Sequence, residues 1–160
     1  PAKDRKMQRS SDGILLLHDI QPHFNKDVVH KLNYVVDYED TSECLFMGYW
    51  GVGPFIETAT DDVAASYYQN AGRENAVVIF FNKGKKDHYL GGTRLHPAGV
   101  CATPDAVPMS ADRPLPLKRV YDLETGEDVQ VVFRDSMVEI ADPLVVRRHE
   151  YRLLALVGEK

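Results

Sequence analysis

The chain has 160 residues, 44% of them hydrophobic and 27% charged, with a formal net charge of -5 from 24 acidic and 19 basic side chains. That composition is the one expected of a soluble globular protein, one domain or one domain with an appendage, long enough to bury a core unaided, and it excludes a disordered chain. An acidic surface repels a phosphate backbone and no apolar run approaches the roughly 18 residues that span a bilayer, so neither nucleic acid nor membrane insertion is expected.

Basic residues cluster at Lys3, Arg5, Lys6 and Arg9, and again at Lys83, Lys85 and Lys86. Both groups read as solvated tips. The chain begins Pro1-Ala2 without Met, as a processed or trimmed product would, so the missing signal peptide leaves secretion open. Cys44 and Cys101 are too few for a disulfide framework and form either one bridge or two buried thiols. Without an Asn-x-Ser/Thr sequon, the sequence assigns no compartment.

In chain order, Pro1 to Asp12 is polar and extended. Ile14 to His18 follows the Asp12-Gly13 turn and reads as a strand buried on both faces. A loop with Pro22 leads to Val28, Val29, Leu32, Val35 and Val36, the apolar stripe of an amphipathic helix capped by Asn25 or Asp27. Residues 1–42 therefore form a β/α appendage, and residues 43–160 a separate domain. Glu43 to Trp50 is aromatic and apolar. Val63 to Gln69 and Ala76 to Phe81 are strands of a β-hairpin, with a turn at Asn70 to Asn75. Another strand lies near His88 to Leu90, and Gly91-Gly92 ends it. Pro97 to Pro116 holds five of the nine prolines, the composition of a long irregular crossover. Strands return at Arg119 to Leu123, Val129 to Arg134, Met137 to Ile140 and Glu150 to Val157. Short strands between Gly, Asn and Asp turns predict a mainly β fold, an antiparallel β-sandwich preceded by one β/α unit.

The chemistry-bearing residues form no complete active site. His18, Asp19 and His23 share a loop, but the six histidines lack the paired spacing of a zinc site, so no metal and no cofactor is expected. Asp122 to Asp128 resembles a calcium loop superficially, yet its glycine falls at position five where an EF-hand needs position six. A hairpin turn explains it better. No nucleophile elbow and no phosphate-binding glycine loop is present. Asp19 is the one candidate catalytic carboxylate: at the C-terminal end of a barrel strand it would sit where barrel enzymes place functional residues. The plainer reading, which we favour, is a cap or brace for its loop. Tyr49, Trp50 and Phe55 could form a platform that stacks on a sugar ring, against the alternative of core or interface packing.

The runs Phe46-Met47-Gly48-Tyr49-Trp50, Pro54-Phe55, Val63 to Tyr68, Val77 to Asn82, Tyr121 to Gly126 and Tyr151 to Val157 follow an order that resembles the C-terminal part of multidomain proteins related to glycoside hydrolases. In these, a β-sandwich follows a catalytic-type barrel. The resemblance implies that Asp12 to Tyr38 is the last β/α unit of the barrel. A whole barrel takes about 250 residues, so the carboxylates that cleave a glycosidic bond would mostly lie upstream. The expected function is a non-catalytic accessory domain packing on that barrel. Two alternatives are a carbohydrate-binding module using Tyr49, Trp50 and Phe55, and a structural subunit whose apolar appendage docks on a partner chain.

Overall fold

A computed structural model describes residues 14, 17, 18, 44–49, 56–70, 75–95, 117–134, 137–141 and 143–158. Its strands are β1 (Cys44–Met47), β2 (Ile56–Glu57), β3 (Val63–Asn70), β4 (Asn75–Asn82), β5 (His88–Tyr89), β6 (Arg94–Leu95), β7 (Leu117–Asp122), β8 (Val131–Arg134), β9 (Met137–Ile140), β10 (Val145–Val146) and β11 (Tyr151–Gly158). They form a five-stranded sheet in the order β1-β3-β4-β11-β7, a four-stranded sheet β2-β6-β9-β8, and a two-stranded ribbon β10-β5. All pairings are antiparallel. The predicted mainly β, sandwich-like fold is what the described residues adopt.

The five-stranded sheet is built around β3, β4 and β11. β3 and β4 make the expected hairpin, in register from Val63 against Asn82 to Asn70 against Asn75. β11 then lies on the other edge of β4, Tyr151 opposite Phe81 and Leu156 opposite Ala76. Strand side chains alternate between faces, and here both faces are buried. Val63, Ala65 and Tyr67 of β3, Ala76, Val78 and Phe80 of β4, and Leu154 and Leu156 of β11 meet Ile56, Leu95, Val138 and Ile140 of the four-stranded sheet. This is the core between the sheets. The intervening residues Ala64, Tyr68, Val77, Ile79, Phe81, Leu153 and Ala155 form a second apolar cluster that includes Leu17. Burial on both sides is why Ala76 to Phe81 is apolar without alternation. The phenol of Tyr67, within the inter-sheet core, has its pKa driven above the ordinary tyrosine value by burial.

Leu17 packs on the second face. The buried hydroxyl of Ser66 donates to the carbonyl of Leu17 at 2.7 Å. The strand expected over Ile14 to His18 is corrected at its described positions. The backbone N–H of His18 donates to the carbonyl of Ile14 at 3.2 Å, the i to i-4 bond of a helical turn. Ile14 is exposed while Leu17 is buried. Four apolar residues carry too little periodicity to separate strand from helix. The helix expected over Val28 to Val36, and hence most of the β/α unit, lies outside the described residues. So does the crossover of Pro97 to Pro116, which connects β6 of one sheet to β7 of the other. No helix among the described residues is long and apolar enough to cross a membrane.

Candidate functional site

Polar side chains concentrate at one end of the sandwich, where the ribbon β5-β10 adjoins the ends of β4 and β11. Asn82 organises this end. It closes the apolar run of β4 and is fully buried. Its Nδ2 donates to the carbonyls of Lys86 and Val146, both at 2.9 Å, and its Oδ1 accepts the N–H of Gly84 at 2.9 Å. Its backbone N–H donates to Glu150 and its carbonyl accepts from His149. One residue thus joins the loop of residues 83–87, through its side chain, to β10 and, through its backbone, to the loop of residues 147–150. Arg148 adds a backbone N–H to the carboxylate of Asp87 at 2.9 Å.

Two further details fix these loops. Gly84 passes so close to Asp62 that a Cβ would stand 2.7 Å from its Oδ2. The same Oδ2 meets His88 Nε2 at 2.8 Å. In the other loop Glu150 N donates to Arg147 O at 3.0 Å, and His149, third of that four-residue turn, has φ of 61°. Glycine or asparagine usually fills such a position, because a Cβ is crowded there.

Beside these loops is a cleft of about 380 Å³. Asp122, Glu124 and Thr125 of one segment and Arg147, Glu150, Tyr151 and Arg152 of another line it. Its lining includes an ion pair, Arg152 Nη1 donating to Asp122 Oδ2 at 2.8 Å. Arg152 Nε donates to the carbonyl of Val145, also at 2.8 Å. Asp122 Oδ1 accepts the backbone N–H groups of Glu124 and Thr125 at 2.9 and 3.0 Å. The Asp122 carboxylate is therefore committed to a turn and to one guanidinium, and the segment forms a turn in place of a cation-binding loop.

Of the residues expected to bind substrate, Tyr49 is described and 40% exposed. Its ring stands edge-on to that of His18, with centroids 5.3 Å apart and planes at 83°. Trp50, Phe55 and Asp19 lie outside the described residues, as does His23. Among the described residues, no three His, Cys, Asp or Glu side chains converge as a metal site would require. Sequence reasoning missed the roles of Asn82, Asp62 with His88, and Asp122 with Arg152. The available signal was a polar residue closing each apolar run, Asn82 after Phe81 and Asp122 after Tyr121.

No family model matches the sequence, and no curated protein matches it. Among solved structures, the chain has a weak likeness to alpha-L-fucosidase isoenzyme 2 from Paenibacillus thiaminolyticus, a glycoside hydrolase, with a TM-score of 0.42 and 10% sequence identity. The likeness covers 66% of this chain, which spans 16% of that one.

Proposed function

We propose that this chain is a non-catalytic accessory β-sandwich domain of a glycoside-hydrolase-like protein, packing against a catalytic barrel. The observation that supports it is the double-sided burial of the five-stranded sheet, with Leu17 in the cluster on its outer face. A sheet apolar on both faces needs cover on both, and here cover for the second face includes a segment from before the first strand. The glycoside-hydrolase part of the reading draws on the ordered sequence runs from Phe46 to Val157. The coding sequence upstream of Pro1 tests it. Seven further β/α units in frame are expected, and a start codon immediately before Pro1 overturns it. Turnover of aryl glycosides by the 160-residue chain would overturn the non-catalytic assignment.

The exposure of Tyr49 favours a second reading, a carbohydrate-binding module in which Tyr49, Trp50 and Phe55 stack on sugar. Titrating the fluorescence of Trp50 with a broad panel of oligosaccharides separates the two. A saturable change supports the module, and a flat response across the panel removes it. For the third possibility, a structural subunit, native mass measurement is decisive: a strict monomer rules against it.

A further inference from the structure

The pairing of β5 with β10 places two basic loops side by side that are about sixty residues apart in the chain. Residues 82–88 carry Lys83, Lys85 and Lys86; residues 147–150 carry Arg147 and Arg148. All five are exposed, and among the described residues none of their charged groups takes an ion pair or hydrogen bond. The two loops hold two carboxylates, Asp87 and Glu150, in a chain whose net charge is -5. Nearby, Asp62 is held by His88, Asp61 is exposed, and Glu124 lines the cleft. The backbone beneath the cations is fixed by the bonds of Asn82 and by Arg148 N on Asp87. A positive surface is thus presented on a fixed backbone, so the loops themselves need no ordering on binding.

We propose that this end of the sandwich is a docking surface for an acidic segment of a partner protein. Two observations select that partner over a uniform polyanion. Asp87 and Glu150 are interleaved with the cations and repel a continuous run of negative charge. Tyr89, next to the loop on β5, is 64% exposed. Arginine and tyrosine are the residue types enriched where protein surfaces meet. A partner with spaced carboxylates and an apolar contact for Tyr89 satisfies both. The inference does not depend on a glycoside-hydrolase parent.

Fluorescence anisotropy on the intact chain tests it, using a labelled dodecapeptide with Glu at every third position between Ser and Tyr. Binding is expected at low salt, at least tenfold weaker for the Gln analogue and weakened steeply by added salt. Lys83→Glu, Lys85→Glu and Lys86→Glu together, and separately Arg147→Glu with Arg148→Glu, should each lower affinity at least tenfold. Both variants change only exposed side chains, and an unchanged melting curve establishes that the fold is retained. Failure of the Glu peptide to bind, or equal binding by the variants, overturns the proposal. So does tighter binding of a sulfated oligosaccharide, a single-stranded oligonucleotide or vesicles of anionic phospholipid, each of which would identify a different class of partner.

Discussion

The centre of the five-stranded sheet and its β5-β10 end are stabilised by different physics. At the centre, β4 contributes Val77, Val78, Ile79 and Phe80 at no measurable exposure, and its neighbours β3 and β11 are nearly as apolar. Stability there is spread over many contacts, each proportional to buried area. At the end, the loops beyond the buried Leu90 and Val146 are held by a few directed bonds, three of them from the side chain of Asn82. The contrast teaches how this chain joins a robust core to a polar, shaped surface. Distributed burial tolerates shuffling of apolar residues, whereas a directed brace depends on single atoms.

The largest effect should come from the centre. Phe80→Ala leaves a cavity between the sheets and should cost about 4 kcal/mol in urea unfolding. Asn82→Asp replaces the amide group that donates both N–H bonds with a single oxygen facing the carbonyls of Lys86 and Val146. It should cost about 3 kcal/mol, and hydrogen exchange should rise first at residues 83–87 and 147–150. If both variants loosened the molecule uniformly, the distinction between core and brace would be lost. Asp122→Asn weakens the ion pair with the partly exposed Arg152 and should cost about 1.5 kcal/mol, between the values for exposed and buried pairs. Its footprint should be confined to the cleft.

A smaller effect separates the regions by pH. Burial raises the pKa of Tyr67, so its folded pKa lies above the unfolded value of about 10. The neutral phenol's contribution is fully present below that pH and is lost as pH rises above it. Tyr67→Phe should flatten the alkaline fall in stability, as followed by urea midpoints from pH 8 to 11. An unchanged slope would contradict the buried placement of the phenol. The smallest change is a gain. His149→Gly relieves the left-handed backbone at φ of 61° and should stabilise by about 0.5 kcal/mol, the steric relief exceeding the added chain entropy. Thermal melts resolve a shift of that size.

The longer strands were legible because a strand with a buried face writes its pattern into the sequence. Val63 to Gln69, Ala76 to Phe81, Met137 to Ile140 and Glu150 to Val157 all appear close to their observed bounds. Ile56–Glu57, Arg94–Leu95 and Val145–Val146 did not, since two residues have no period. The run at Ile14 misled for the same reason. Sheet order was also hidden, because hydrogen-bonding partners far apart in sequence leave no local mark. The site was less legible still. Lys83 to Lys86 read as a solvated tip when taken alone, and only the pairing of Val146 with His88 brings Arg147 and Arg148 beside it. Asn82 was visible as a residue, but its three partners come from two other segments.

The position of β11 bears on how the chain acquires its structure. Tyr151–Gly158 is the last strand in order, yet it fills the place between β4 and β7. During vectorial synthesis the hairpin of β3 and β4 emerges before β11, and its free edge must wait for some seventy residues of nascent chain before its neighbour arrives. Until then β4 presents unpaired N–H and carbonyl groups beside an apolar face, the combination that invites intermolecular strand pairing. Folding of the main sheet is therefore a late, non-local event and correspondingly slow. A ribosome stall before Tyr151 would release a chain prone to aggregate.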